Sequence, residues 1–447
     1  MAATSALADG SNGVARRTAL LVGVGSGVAT AAAYVPGMGR AFGWDASVTV
    51  RLFIRAPLRD AVFSQYAANN HPYFSFLEQL VSRGLGTSSE AALRLLPIGL
   101  GALTVGIMAT VLGERMGVIP ALCGAAVLAS NPLFLTLARD VRGYSLVTLC
   151  AVASTLAVVE RREDGGWRRW LYIAAVGVGV GTHLFMVWVV VAHIVIVFVR
   201  RQARAEWTFR WVAAAMIGVV PYADGLSGIL HRAGNGQRSA SFPALVARDV
   251  LGTPLLRTFV IAGLVVIAIW LWRRHRLVVP IVVVAAAAVG GAWFAPAAGA
   301  SRFFVWATPG TALLVAAAVR WRLWLVAPVA VAVAASCVSV ADGYTADGLS
   351  NRAAAPYVEM ARRQHKQACG LGDSTETLPV YTGDIPELFD PNELTTCDVV
   401  VVVDPHLSAR LLAQVRPAFP FARRLPARMP GLLLYRDPAL VQAVPRS

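Results

Sequence analysis

Polar side chains able to do chemistry lie where long apolar runs end. Asp45 follows the first such run, directly after Trp44. A carboxylate held beside an apolar run is partly desolvated, which suits it to accept a proton as a general base. Aspartate is also a preferred helix N-cap, and Ala46 to Val48 could begin a helix after it. Asp45 is therefore predicted to be a catalytic base, a helix cap, or both.

A second polar group follows in the same stretch, at Asn69, Asn70, His71 and Pro72. Proline fits the first turn of a helix, and asparagine is a good cap before it. A structural turn accounts for Pro72 and one asparagine, and it leaves His71 and the other asparagine for another role. His71 could stabilise a phosphate or bind a metal.

Arginines form the third group of candidates. Arg139 and Arg142 lie with Tyr144 in a short junction between two apolar runs, and Arg302 precedes two phenylalanines. A guanidinium group can fork onto two phosphate oxygens, so these side chains are candidates for phosphate binding. The alternative is that the arginines only extend to a membrane interface. His183, at the turn between two further runs, is a possible site residue or a buried interhelical histidine.

Composition identifies the lipid bilayer as the main solvent of this chain. Its 447 residues are 57% hydrophobic and 15% charged, with a mean hydropathy of +0.60, outside the range of ordinary soluble domains. A spanning helix needs roughly 20 apolar residues, and about eleven such runs occur between Thr18 and Val340. They include Ala92–Leu112, Val118–Leu137, Tyr144–Val159, Met186–Val199, Leu256–Trp272, Leu277–Phe294 and Leu323–Val340. The net charge of +15 comes from arginine clusters between these runs. That pattern indicates membrane topology, and no nucleic-acid partner is expected.

The pattern divides the chain into two parts. Arginine-rich short loops place the N-terminus in the cytoplasm, so residues 1–340 form the transmembrane module, with a first outer loop at about 37–90. Residues 341–447 are predicted to form a small extracytoplasmic α/β domain, where Cys369 and Cys397 could pair. The strand-length apolar runs in this part are Leu378–Tyr381, Val399–Val403 and Leu412–Val415 or Leu432–Tyr435.

Together these residues resemble the GT-C superfamily of integral membrane glycosyltransferases, in particular the branch of protein O-mannosyltransferases, aminoarabinose transferases and Rgt-like bacterial enzymes. Members have an acidic residue after span one, an Asn/Glu-His/Lys-Pro segment in the same loop, an Ala-Arg-x-x-Arg-x-Tyr-like junction and a late Arg-aromatic-aromatic segment. The matching segments, in the same order, are Trp44-Asp45, Asn70-His71-Pro72-Tyr73, residues 138–144 and Arg302-Phe303-Phe304. The expected fold is therefore an α-helical polytopic GT-C type with a small C-terminal α/β domain.

The resemblance implies an inverting transfer of a sugar from a polyprenyl-phosphate donor to an envelope glycan, lipid or protein on the outer face of the cytoplasmic membrane. Asp45 would be the base. Many relatives have an acidic pair here, whereas Ala46 follows Asp45, so a second carboxylate would be Asp60 or Glu78. A single carboxylate is a poor divalent site, so no cofactor is expected to be required, with a divalent metal as the open alternative. The donor would be bound by His71, Arg139, Arg142, Tyr144 and Arg302, with Asn70 as a further possibility.

Three arginines of the first loop recur every four residues, at Arg51, Arg55 and Arg59. This spacing predicts a helix lying on the membrane surface. The basic face could guide anionic lipid head groups, or it could simply be solvated.

Two other classes of protein share this composition. A transporter or flippase of a lipid-linked or envelope substrate would be expected to carry charges inside its spans and often repeated halves. Here the polar residues gather at the ends of spans, and no repeat is visible. A non-catalytic scaffold with an extracytoplasmic binding domain is the second alternative, and it predicts that Asp45→Asn is silent.

Overall fold

The structure, a computed structural model, describes a defined part of the chain. The described residues are 2–64, 70–159, 166–199, 204–223, 305–341, 351–371, 378–382, 387–388, 396–402, 409–425 and 431–439.

Helices make up most of the described residues. In chain order they are α1 (Ala2–Tyr34), α2 (Trp44–Thr49), α3 (Leu58–Phe63), α4 (Pro72–Leu85), α5 (Glu90–Leu93), α6 (Leu95–Met116), α7 (Val118–Ser130), α8 (Pro132–Leu137), α9 (Tyr144–Val159), α10 (Trp167–Thr182), α11 (Val187–Val199), α12 (Arg204–Val219), α13 (Thr308–Trp321), α14 (Val326–Ala341), α15 (Asn351–Arg363), α16 (Pro379–Thr382) and α17 (Ala409–Val415). A π-helical turn at Val50–Ile54 continues α2.

The apolar helices follow the predicted spans. By length and composition, Glu90–Met116 and Leu323–Ala341 can cross a membrane, and shorter apolar helices occupy Val118–Ser130, Tyr144–Val159 and Leu184–Phe198. Each of these helices coincides with an apolar run of the sequence. Two other predicted runs, 256–272 and 277–294, lie outside the described residues.

The chain forms two compact units. The first unit contains Met1–Val35, Val62–Glu78 and Arg94–Val340, and the second contains Pro36–Ala61, Gln79–Leu93 and Ala341–Ser447. The second unit therefore joins two segments of the first loop to the C-terminal part of the chain.

Small residues let the first two long helices of the first unit approach closely. A Cβ atom added at Gly23 of α1 would lie 2.7 Å from the carbonyl oxygen of Gly106 on α6. Helices in lipid gain little from burying apolar side chains and associate through such close backbone packing. The glycines of these two helices therefore set their separation.

The second unit contains a five-stranded sheet with the order β2-β1-β3-β5-β4. β1 pairs in parallel with β2 and β3, whereas β5 pairs antiparallel with β3 and β4. The strands are β1 (Ala368–Leu371), β2 (Glu387–Leu388), β3 (Val399–Val402), β4 (Phe421–Arg424) and β5 (Leu432–Tyr435). A disulfide joins Cys369 of β1 to Cys397, just before β3, with 6.0 Å between the Cα atoms. The predicted pairing is confirmed.

One predicted strand of the C-terminal part is wrong. Leu378–Tyr381 lies mostly within the helical turn α16, where the amides of Tyr381 and Thr382 donate to the Leu378 carbonyl. Pro379 is the physical reason, because a proline has no N–H for a strand ladder and its fixed φ suits the start of a helix.

Candidate functional site

Two buried arginines lie in the short junction between α8 and α9. Arg139 is 1% exposed and Arg142 is 2% exposed. The junction is fixed locally, because Asp140 accepts the amide of Val141 on its side chain at 3.0 Å and that of Arg142 on its carbonyl at 2.8 Å. Asn131 caps the N-terminus of α8, the helix that leads into the junction, and accepts the amides of Leu133 and Phe134. The backbone thus holds both guanidinium groups inside the first unit.

His71 binds one of these arginines directly. The Nε–H of Arg142 donates to Nε2 of His71 at 2.8 Å. A histidine nitrogen that accepts a hydrogen bond carries no proton, so the ring is neutral with its hydrogen on Nδ1. His71 therefore orients the guanidinium group, and Arg142 carries the positive charge of the pair.

Two further rings complete what we call the His71 cluster, which consists of His71, Arg142, Tyr144 and His183. The ring centroids of His71 lie 5.1 Å from Tyr144 and 5.2 Å from His183, and the latter two are 5.8 Å apart. Arg142 stacks over the Tyr144 ring at 5.6 Å. His183 is held in turn, since its Nδ1 accepts the amide of Phe185 at 3.2 Å. Residues from three separate helix ends thus meet in one cluster that contains a single cationic group, the guanidinium of Arg142.

Gly143 makes this convergence possible, and sequence reasoning missed it. A Cβ atom at this position would lie 2.5 Å from Cγ2 of Thr182 and 2.9 Å from Nδ1 of His71. Distances below 3.0 Å force a neighbour to move, and both neighbours are buried. The clue in the sequence was a glycine at a tight junction next to two candidate site residues.

Asn70 supports the loop that carries His71. Its side-chain amide donates to the Ser64 carbonyl at 2.8 Å, and its Oδ1 accepts the Ser75 hydroxyl at 2.8 Å. Pro72 begins α4, as the predicted turn required. Asn70 thus ties the loop before α4 to the first turn of that helix.

Glu78 lies two turns along α4 on the same face as His71. Its side chain is fully buried, and neither carboxylate oxygen has a hydrogen-bond partner among the described residues. Desolvation raises the pKa of Glu78 from 4.5 to about 9. Burial therefore favours the protonated, uncharged form of Glu78 at neutral pH.

Asp45 lies in the second unit, in the first turn of α2. The N-cap position belongs to Gly43, so Asp45 sits one residue inside the helix and does not cap it. A negative charge in the first turn is favoured by the helix dipole. One of its carboxylate oxygens is buried. The structure therefore does not support the cap interpretation of Asp45.

The other loop candidates have different surroundings. Arg55 donates from Nη1 to the Val380 carbonyl at 2.8 Å and from Nε to the Ser88 hydroxyl at 3.2 Å. The predicted continuous surface helix is interrupted at residues 55–57, between the π-helical turn and α3. Arg59 is exposed and Asp60 is half-buried, both on α3.

Arg302 lies outside the described residues. Within the part of the chain that is described, no group of three or more His, Cys, Asp or Glu side chains could hold a metal ion.

Two comparisons with known proteins bear on this region of the chain. The sequence profile described as dolichyl-phosphate-mannose-protein mannosyltransferase matches residues 70–223, which include the loop of His71 and the junction of Arg142. The match spans about a third of the chain and agrees with the resemblance to GT-C glycosyltransferases that the four motifs indicated. The fold class predicted from the sequence is confirmed by the structural comparisons that follow.

The structural similarity extends over the whole chain. ArnT from Cupriavidus metallidurans in the apo state superposes with a TM-score of 0.56 at 14% identity, covering 100% of both chains. The same protein bound to undecaprenyl phosphate gives a TM-score of 0.56 at 13% identity, covering 97% of this chain and 99% of that one. No curated protein sequence matches significantly.

Proposed function

We propose that this protein is an inverting glycosyltransferase that moves a sugar from a polyprenyl-phosphate donor to a cell-envelope acceptor on the outer face of the cytoplasmic membrane. The observation that carries the proposal is the buried Arg142, oriented by His71 and flanked by Tyr144. Supporting it are the GT-C fold and a solved relative in complex with undecaprenyl phosphate.

Burial explains why such an arginine suits a phosphate leaving group. Removing a guanidinium group from water is costly, and a site that retains one gains from an anion bound against it. The planar group can donate two parallel hydrogen bonds to phosphate oxygens. Arg139, in the same junction, adds a second buried cation. Both charges are fixed before the reaction, so no reorganisation is needed as negative charge grows.

The reaction then divides between two groups of residues. The acceptor hydroxyl oxygen attacks the anomeric carbon and its proton passes to the Asp45 carboxylate, while the bond from that carbon to the phosphate oxygen breaks. The electron pair leaves with the polyprenyl phosphate, which Arg139 and Arg142 stabilise. A positioned base contributes on the order of 10²–10⁴ in rate. Arg302 would add a further cation, and Tyr144 and His183 would contact the phosphate or the sugar.

A donor-panel assay tests this function. Purified protein is supplied with labelled polyprenyl-phosphate sugars and membrane-extracted acceptors, and the release of polyprenyl phosphate is measured. Arg142→Lys keeps the charge but loses the planar fork and the His71 contact, so we expect kcat to fall by about 10²–10³. The matched control is Arg320→Lys, an exposed arginine of the first unit that donates to the Met116 carbonyl. Equal turnover by Arg142→Lys and wild type would overturn the proposal.

A further inference from the structure

The helical segment that carries Asp45 is too short to hold its own position. It runs over α2 and the π-helical turn, from Trp44 to Ile54. Isolated helices shorter than about 12 residues are marginal in water, because the cost of nucleation is not repaid by so few hydrogen bonds. The orientation of Asp45 must therefore come from contacts outside this segment.

The N-terminal end of the segment is held by the C-terminal part of the chain. The amide of Phe42, two residues before Trp44, donates to the Tyr381 hydroxyl at 2.7 Å. The rings of Phe42 and Tyr381 also lie 6.2 Å apart, and Phe42 is almost completely buried.

The rear of the segment is held by the residue next to Tyr381. Arg55, directly after the π-helical turn, donates to the Val380 carbonyl at 2.8 Å. The side chain of Gln79 then donates to the carbonyl of Ile54 at 3.0 Å and to that of Ala56 at 2.5 Å. The last carbonyls of a helix lack partners within it, so these bonds fix its end.

Val380 and Tyr381 are themselves held by packing and hydrogen bonds. Val380 and Tyr381 lie in α16, and Arg362 of α15 donates to the Thr382 carbonyl at the end of that turn. The apolar core beside the sheet contains Leu378 and residues of α15, and Trp44 packs against it. Trp44, at the start of the Asp45 segment, and Leu378, just before α16, therefore pack in the same apolar core.

We propose that Val380 and Tyr381 form a clamp on both ends of the Asp45 segment and act as positioning residues for the transfer reaction. The clamp gives the C-terminal domain a role in the catalytic step itself. The inference rests on the proposed function only in naming Asp45 as the base. A misplacement of about 1 Å at a reacting group can cost on the order of 10²-fold in rate, so a clamp of this kind matters for turnover.

Tyr381→Phe tests the clamp, because it removes the hydroxyl and leaves the ring. We expect hydrogen exchange at the Phe42 amide to rise about ten-fold and kcat to fall about ten-fold, with the donor KM unchanged. Tyr435→Phe is the matched control, since the Tyr435 hydroxyl of β5 has no hydrogen-bond partner among the described residues. Arg55→Gln is the second variant and should loosen residues 50–56 in the same measurement.

The outcomes separate the clamp from the proposed function. Unchanged exchange over residues 42–56 in both variants overturns the clamp, whatever the activity. Raised exchange with unchanged kcat overturns the positioning role. Raised exchange with lower kcat supports the clamp, and if Asp45→Asn is fully active in the same assay, the proposed base is wrong while the clamp stands.

Discussion

Glu78→Gln should change how the stability of this protein depends on pH. The folded state holds Glu78 protonated, with its pKa raised from 4.5 to about 9. The unfolded chain releases this proton once the pH exceeds about 4.5, while the folded protein keeps it until about 9. Folding therefore becomes progressively less favourable between these two values, and the loss is complete above the higher one. Glutamine is uncharged throughout, so the variant should lack this loss.

The size of the effect follows from the shift. Each pKa unit corresponds to about 1.4 kcal/mol, so at pH 7 wild type has lost about 3 kcal/mol relative to its stability at low pH. A buried amide without partners costs about 1–3 kcal/mol at every pH, which offsets the two curves without changing their slopes. The slope of the difference between Glu78→Gln and wild type is therefore the quantity that tests the reasoning.

Thermal unfolding in detergent between pH 5 and pH 8 measures that slope. We expect the melting temperature of Glu78→Gln to rise relative to that of wild type as the pH increases. Glu114→Gln is the control, a partly exposed carboxylate that lies 3.7 Å from Arg16. Parallel curves for wild type and Glu78→Gln would refute the assignment of a protonated Glu78.

Two further predictions concern the cluster and the sheet. Gly143→Ala should lower turnover by at least about ten-fold, because its Cβ displaces His71 or Thr182, whereas Gly99→Ala has open space and should be silent; equal kinetics of the two variants would contradict the packing. Replacing Cys369 and Cys397 together by serine should lower the unfolding free energy by about 3 kcal/mol, since the disulfide closes a loop with a sequence separation of 28. Non-reducing peptide mapping checks the bond directly, and two free thiols would exclude it.

Local patterns predicted much of the fold because a spanning helix can be recognised from the length of its own apolar run. The helix at Tyr144–Val159 matches its predicted run for that reason. The run predicted over Val118–Leu137 is instead divided at Asn131 into α7 and α8. The strand predicted at Leu378–Tyr381 is wrong because apolar content alone does not distinguish a strand from a turn. Pro379 favours the helical turn that the structure shows.

The residues of the His71 cluster could be predicted from the sequence, but the contacts between them could not. His71, Arg142 and Tyr144 were identified from their residue types and motifs, but their hydrogen bond and ring contacts depend on how α4 and α9 meet. His183 was predicted from its place at a turn as a possible site residue or a buried interhelical histidine, because a turn does not show which side chains it will meet. The bond between Phe42 and Tyr381 joins positions far apart in sequence, and no single-sequence pattern encodes such pairs.

The burial of Glu78 could not be predicted from the sequence. Glutamate side chains are normally exposed, and the family resemblance made Glu78 a possible second carboxylate. Its alignment with His71 on the buried face of α4 overrides that expectation. Burial, and with it the protonation state, is a property of the packed structure.

The most direct test of the proposed chemistry is the release of polyprenyl phosphate by Asp45→Asn compared with wild type. Asparagine keeps the size and polarity of the side chain but cannot accept the proton. We expect wild type to turn over one polyprenyl-phosphate sugar and the variant to lose on the order of 10²–10⁴ in kcat while remaining folded and inserted. Full activity of Asp45→Asn would contradict the assignment of Asp45 as the base.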